Sequence, residues 1–335
     1  AGRRAVPRNK ETLVATDELW MSYINYAHSG RTGGSMFWGG GDYDFSGLVR
    51  IMDDGSPWPA ILGFGEANRW DDNGYEAGYA ACAALSDAGG PPYQFLLGAR
   101  PGQTDVPWGL ALLYDPRVVR VHHWYGDPRL HHFNEERHSG QAVISRVGSQ
   151  ERWRVMVTHS SWIAGRRRLE EAELFVRLAA PETPCVIVGD FNATLSGPQW
   201  EVGDFTPDPS APGRHRPDRA FHKIKYRPGQ ERDDPPVGDT DGLDLLCGRW
   251  VEGTDGAPGH REGGVGFFDV AELAQDFTPT QYEVPGGRRP RCIDRALVNA
   301  PFADAYVPGS YRVHEPTDPE RPGSDHKRIS FALHV

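Results

Sequence analysis

The sequence predicts an α/β protein, with two packed sheets carrying helices on their outer faces, folded as one domain. Three observations carry that expectation. Short apolar runs alternate with segments of helical period along most of the chain. Several of those runs end or begin on Asn, Glu, His or Asp, which places polar groups at strand ends along a sheet edge. The longest apolar runs fall far short of a membrane span, so a chain of 335 residues must bury its apolar surface in a core of its own.

The elements follow in order. Residues 1–15 read as a loose N-terminal arm, basic and aperiodic through Lys10, and residues 16–335 as the domain. Residues 19–25 are the first strand. Residues 27–46 are too glycine-rich for a helix and read as a loop or short hairpin, with a helix starting near Phe45. Residues 73–88 carry Tyr75, Tyr79, Cys82 and Leu85 at helical spacing, ended by Gly89-Gly90-Pro91-Pro92. A β-rich stretch covers residues 93–97, 109–114, 118–122, 141–147 and 153–159, with tight turns at Asp115-Pro116-Arg117 and Gly148-Ser149-Gln150. Residues 167–179 form an amphipathic helix. The apolar run Cys185-Val186-Ile187-Val188 is a buried strand. A long polar loop insertion occupies about residues 193–240. Residues 242–250 and 268–273 read as helices, and two strands finish the chain.

Composition excludes several classes. Lys and Arg number 36 against 46 Asp and Glu, a net charge of −10 with histidines neutral. Tight non-specific binding of nucleic acid through bulk charge is therefore disfavoured, although a local basic edge could still serve a nuclease. Cys82, Cys185, Cys247 and Cys292 show neither C-x-x-C nor finger spacing and read as buried free thiols, so disulfides and zinc are disfavoured. No signal peptide is visible, which favours the cytoplasm, and the start at Ala1 leaves secretion open.

Val188-Gly189-Asp190-Phe191-Asn192 delivers a carboxylate and an amide to the end of a buried strand. Ser324-Asp325-His326 opens the last strand. Carboxylates, amides and an imidazole at strand ends suit metal-assisted phosphoryl chemistry. Three further strands end similarly: Trp20-Met21-Ser22-Tyr23-Ile24-Asn25, Ile61-Leu62-Gly63-Phe64-Gly65-Glu66 and Val155-Met156-Val157-Thr158-His159. Cys292-Ile293-Asp294-Arg295-Ala296-Leu297-Val298 completes the set. In this order the segments resemble the endonuclease/exonuclease/phosphatase superfamily, the family of pancreatic deoxyribonuclease, from about Leu19 to the end. The resemblance implies a four-layer α/β/β/α sandwich of two packed, mostly antiparallel sheets with outer helices.

Strand polarity locates the edge. Asn25, Glu66, His159 and Asp190 end their strands, whereas Asp294 and Asp325-His326 begin theirs. All meet only if the first group runs toward one edge and the last two run away from it. The segment ending at Trp108 and the connection from His122 to Gly140, with His131, His132 and His138, fall on the same edge. So do Trp162 and Arg166-Arg167-Arg168 after His159, and Arg288, Arg289 and Arg291 before Asp294. Trp108, His138, Arg166, Arg288 and Arg289 are thus candidate substrate-binding residues of a basic, aromatic rim, with solvated charge as the alternative reading.

By resemblance, Glu66 is the principal ligand of Mg²⁺ or Mn²⁺, with Asn25 and Asp325 supporting it. His326, paired with Asp294, is the general base or phosphate-contacting imidazole. Asp190 and Asn192 position the attacking water, and His159 donates to a non-bridging oxygen. Whether Asp190 or His326 is the base stays open. The expected activity is divalent-metal-dependent hydrolysis of a phosphoester, a phosphodiester of nuclease type foremost, with nucleic acid among the substrates. The rivals are a phosphomonoesterase or lipid-headgroup hydrolase on the same fold, and a non-catalytic binding protein. A binding scaffold has no need of all eight core residues.

Overall fold

The computed structural model describes residues 17–33, 41–98, 109–125, 139–200, 224–225, 237–254, 256–282 and 290–335. Its main strands are β1 (Glu18–Asn25), β2 (Ile61–Gly65), β3 (Gln94–Leu97), β4 (Ala111–Tyr114), β5 (Val119–Trp124) and β6 (Ser139–Arg146). They continue with β7 (Trp153–His159), β8 (Cys185–Asp190), β9 (Phe267–Asp269), β10 (Asp294–Asn299), β11 (Arg312–His314) and β12 (Arg328–His334). One six-stranded sheet has the order β11-β12-β1-β2-β4-β3, and the other has the order β9-β10-β8-β7-β6-β5. In each sheet the central pair, β1 with β2 or β7 with β8, is parallel. Every other neighbouring pair is antiparallel. The four-layer sandwich of mostly antiparallel sheets is therefore the observed fold.

Burial explains the sequence patterns. β8 is buried along its whole length, which is why its apolar run does not alternate. β1 is buried on both faces but with different partners. Met21 and Tyr23 join the layer between the sheets, while Ile24 packs with Leu62, Phe64 and Leu113 under the helices. Those helices are α1 (Ser46–Met52) and α2 (Glu76–Asp87). On the second sheet α3 (Gly165–Phe175) and α4 (Asp241–Cys247) pack side by side, with Gly242 against the Arg168 carbonyl and Ala172. The short α5 (Val270–Ala274) and α6 (Ala300–Asp304) complete that side. At Gly63 the two sheets approach each other closely. A Cβ added there would lie 2.6 Å from Val188 Cγ2 of the opposite sheet.

The boundaries differ from the sequence reading at glycines and caps. The helix expected over 242–250 stops at Cys247, because Gly248 turns to φ 94° and the chain leaves as a strand, Arg249–Val251. Residues 267–269 are strand rather than helix; α5 starts only at Val270, where Asp269 accepts from the Ala271 N–H at 2.8 Å. The expected 167–179 helix is α3 followed by a 3-10 turn, Val176–Ala179. The glycine-rich segment contains a 3-10 turn and the short hairpin Arg31–Thr32 with Asp42–Tyr43. All four cysteines are free, with Cys292 just outside strand β10.

The polarity argument holds. β1, β2, β7 and β8 end, and β10 and β12 begin, at one mouth between the sheets.

Candidate active site

Register sets three of the site residues in a row. Asp190 lies opposite Asp294 on one side and opposite His159 on the other. The facing sheet brings Asn25 from the end of β1 and His326 from the approach to β12. Ser324 ties these two together: its hydroxyl donates to the Asn25 carbonyl at 2.6 Å and accepts from the N–H groups of Ala27 and His326, each at 3.2 Å. The serine of Ser-Asp-His is thus a knot between two strands.

Across the mouth the side chains form a connected chain. Asn25 Nδ2 donates to Asp190 Oδ2 at 3.1 Å and lies 3.5 Å from His326 Nε2. His326 Nδ1 bonds Asp294 Oδ2 at 2.7 Å. His159 Nε2 is 3.6 Å from Asp190 Oδ2. The other oxygen of Asp190 accepts from the Asn192 N–H at 2.8 Å, and Asn192 Nδ2 donates to the Ser160 carbonyl at 3.0 Å. Asn25, His159, Asp190, Asn192, Asp294 and His326 are all buried.

Two of the site residues sit in left-handed backbone, Glu66 at φ 59° and Asn192 at φ 50°. That conformation is uncommon outside glycine and persists where surrounding contacts impose it. At Glu66 the contacts are visible: the Ser29 hydroxyl donates to its carbonyl, and the Ala67 N–H donates to the Gly109 carbonyl at 2.7 Å.

Burial alone would push the His326 imidazole down, but Asp294, Asp190 and Asp325 outweigh it and raise the group. Burial raises the Asp294 carboxyl, against the pull of the adjoining imidazole. Both shifts run upward, and together they favour a proton held within the pair. Tyr23, wholly buried, is raised well above its ordinary value by burial and by Asp294 and Asp190.

The oxygen donors at the mouth are of the kind a divalent ion takes. Among the described residues Asn25 Oδ1 is buried without a hydrogen-bond partner, an arrangement that costs free energy unless something polar meets the atom. It lies over Gly65, where an added Cβ would be 3.1 Å from it, so it is next to the residue that precedes Glu66. Glu66 follows Gly65 and the half-exposed Asp325 precedes His326, and oxygen donors of these kinds suit Mg²⁺ or Mn²⁺. A second grouping, Asp190, Asp294 and His326, has donor atoms within 4.8 Å of one another. There His326 Nδ1 is already engaged by Asp294, so we read that trio as proton-handling rather than as an ion cage.

The rim residues fare differently. Trp108, His138, Arg288 and Arg289 lie outside the described residues. Arg166 is 89% exposed and pairs with Glu170 one helical turn on, at 2.9 Å. Arg168 corrects the expected cationic run: it is buried, bonding Asp239 Oδ2 at 2.6 Å and the Ser161 carbonyl at 2.9 Å. A helix turn sends one of three consecutive arginines inward.

Sequence reasoning missed three contacts. Tyr23 Oη accepts from the Asp190 N–H at 2.9 Å, bridging the sheets. The signal was present, since Tyr23 lies two residues before Asn25 and shares its face of the strand. Thr280 Oγ1 accepts from the N–H groups of Ile293 and Asp294 at 3.2 and 3.0 Å. Gln281 Nε2 is 3.2 Å from His326 Nε2. Neither of these last two lies near a motif.

A sandwich with carboxylates, amides and imidazoles at its mouth has the groups that phosphoester hydrolysis uses. The profile of the Endonuclease/Exonuclease/phosphatase family matches residues 38–326, and the chain belongs to that family. Comparison with curated proteins gives no match. Among solved structures it is similar to the endonuclease/exonuclease/phosphatase from Bacteroides vulgatus, with 14% identity, TM-score 0.51, and 94% of this chain and 98% of that one covered. It is also similar to humanized D. rerio TDP2, with 12% identity, TM-score 0.51, and 96% and 100% coverage. D. rerio TDP2 complexed with single strand DNA product gives 13% identity, TM-score 0.50, and 96% and 100% coverage. At these identities the likeness is one of fold.

Proposed function

We propose that the protein hydrolyses phosphodiesters, with nucleic acid as the leading substrate class, in a reaction that depends on Mg²⁺ or Mn²⁺. The observation that carries the reading is the buried chain Asp294–His326–Asn25–Asp190 beside an unbonded Asn25 Oδ1. Family membership supports phosphoester chemistry, and the DNA product in the TDP2 structure supports a nucleic-acid substrate by likeness of fold.

Asn25, Glu66 and Asp325 would hold the ion, which when bound neutralises charge on the phosphoryl oxygens. Asp190 is fixed by the Asn192 N–H and by Asn25, so its carboxylate is oriented to accept a proton from water. The water oxygen bonds phosphorus as the ester P–O bond breaks, and the leaving oxygen takes its proton from solvent at the mouth. His326, sharing a proton with Asp294, would place positive charge beside the phosphoryl oxygens, and His159 would donate to one of them. No covalent intermediate is needed.

The test is hydrolysis of plasmid, single-stranded DNA, RNA, bis-p-nitrophenyl phosphate and p-nitrophenyl phosphate, each with Mg²⁺, Mn²⁺ or EDTA. Cleavage of the diesters with either metal and none with EDTA is expected. Undiminished cleavage in EDTA, or turnover of the monoester alone, would overturn the proposal.

A further inference from the structure

Gln281 is a buried polar side chain that the reaction scheme above does not use. It sits in a short strap, residues 280–282, that crosses the mouth from one sheet to the other. On one side the N–H groups of Thr280 and Gln281 donate to the Arg291 carbonyl at 2.7 and 2.8 Å, next to the entry to β10. On the other, the Tyr282 N–H donates to the Asp325 carbonyl at 3.0 Å and the Lys327 N–H to the Thr280 carbonyl at 2.6 Å, at the entry to β12. The strap thus joins the segment carrying Asp294 to the segment carrying His326.

Its side chains act on the same two residues. Thr280 Oγ1 holds the backbone of Asp294. Gln281, 3% exposed, places its amide 3.2 Å from His326 Nε2, on the side of the ring away from the Nδ1 bond to Asp294. Its Oε1 has no hydrogen-bond partner among the described residues, so the imidazole contact is what its buried amide gains. A leucine would fill that space without a buried amide to satisfy. Either end of the amide can serve the ring, since the NH₂ donates to a bare Nε2 and the oxygen accepts from Nε2–H.

We propose that Gln281 is a positioning residue for His326, bracing Nε2 opposite Asp294 so that the ring keeps one orientation toward the reacting phosphate. The proposal rests on the reading of His326 as part of a phosphoesterase site. It also gives the strap's span a role: the two side chains that meet this pair, Thr280 at the Asp294 N–H and Gln281 at the His326 ring, are held by one short segment.

The test uses the full chain with bis-p-nitrophenyl phosphate and Mg²⁺. Gln281→Leu keeps the bulk and loses both polar atoms; Gln281→Asn keeps the amide but falls one methylene short. Each should lower kcat about tenfold, the value of one lost hydrogen bond, with KM changed less than about twofold. In a His326→Ala background neither should add a further loss. In ¹⁵N spectra of histidine-labelled protein, the Nε2 resonance of His326 should move in Gln281→Leu while Nδ1 stays. Thermal unfolding of both variants checks the fold, and if Leu does not fold the Asn variant carries the same readouts. Unchanged kcat, multiplicative loss with His326→Ala, or an unmoved Nε2 resonance would overturn the proposal. If His326→Ala itself is fully active, the functional reading fails instead, and the ring resonance alone decides whether Gln281 holds the ring.

Discussion

Asp190 is held at both of its carboxylate oxygens and at its own N–H, by the Asn192 N–H just beyond it and by Asn25 and Tyr23 of β1 in the facing sheet. That over-determination yields predictions at single residues. His326→Ala should lower kcat by about 10²–10⁴-fold on a diester. Asp294→Asn should act through the same ring, so the double variant should be little worse than the worse single one; steady-state kinetics of the four proteins decide it, and strictly multiplicative losses would separate the two residues. Tyr23→Phe strands the buried Asp190 N–H. A loss of about 1–3 kcal/mol in urea unfolding is expected, with kcat falling as the carboxylate drifts. Unaltered stability would mean that the N–H finds another acceptor. The residues that gather at the mouth were legible as candidates because each ends or begins an apolar run. Gln281 was not, because its meaning lies entirely in what the strap crosses.

Among the elements, strand polarity was legible and helix ends were not. Asn25, Glu66, His159 and Asp190 close strands, whereas Asp294 opens one, and only one arrangement of directions lets them meet. Helix ends turned on glycine and cap geometry at Gly248 and Asp269, which weigh on the outcome only once packing has chosen the local path. The inward turn of Arg168 makes a prediction at this scale. Its buried ion pair fastens α3 and the Ser161 carbonyl to Asp239, just before α4. Arg168→Met should cost about 3–5 kcal/mol, because Asp239 is left buried and unpaired, while Arg168→Met with Asp239→Leu should recover most of it. Urea midpoints of the two variants measure this. A double variant as weak as the single one would show that the loop contact, rather than the pair, carries the stability.

The whole molecule carries a titration away from the mouth. His314 bonds Asp54 through Nδ1 at 2.5 Å and Ser330 through Nε2 at 2.6 Å, beside Arg328. Burial and the neighbouring Arg328 charge lower the imidazole to about 4, with Asp54 opposing. The sign follows from linkage: below about pH 6.5 the unfolded chain takes up the proton first, so this group's contribution is full above 6.5 and is lost as pH falls toward 4. Its size is on the order of 3 kcal/mol. Glu171 is raised to about 7 by burial and slopes oppositely over much of the same range, so the wild-type curve alone hides the effect. The stability gap between wild type and His314→Gln, measured by urea unfolding from pH 7 to pH 4, should narrow as pH falls; a constant gap would remove His314 as the source.

Among the described residues no helix is long and apolar enough to cross a membrane, as the run lengths in the sequence indicated. The α/β class, the strand directions and the edge at which the candidate residues gather follow from local pattern. Apolar periodicity and the residue at each strand end are properties of neighbours along the chain, and they survive without knowledge of the fold. Tertiary structure alone decided that Asp294, Asp190 and His159 stand in one row, that Asn25 leaves an oxygen unbonded, that Arg168 faces inward, and that Gln281 meets His326. These depend on register and on approach between segments far apart in sequence, where a shift of one residue would send each side chain to the opposite face.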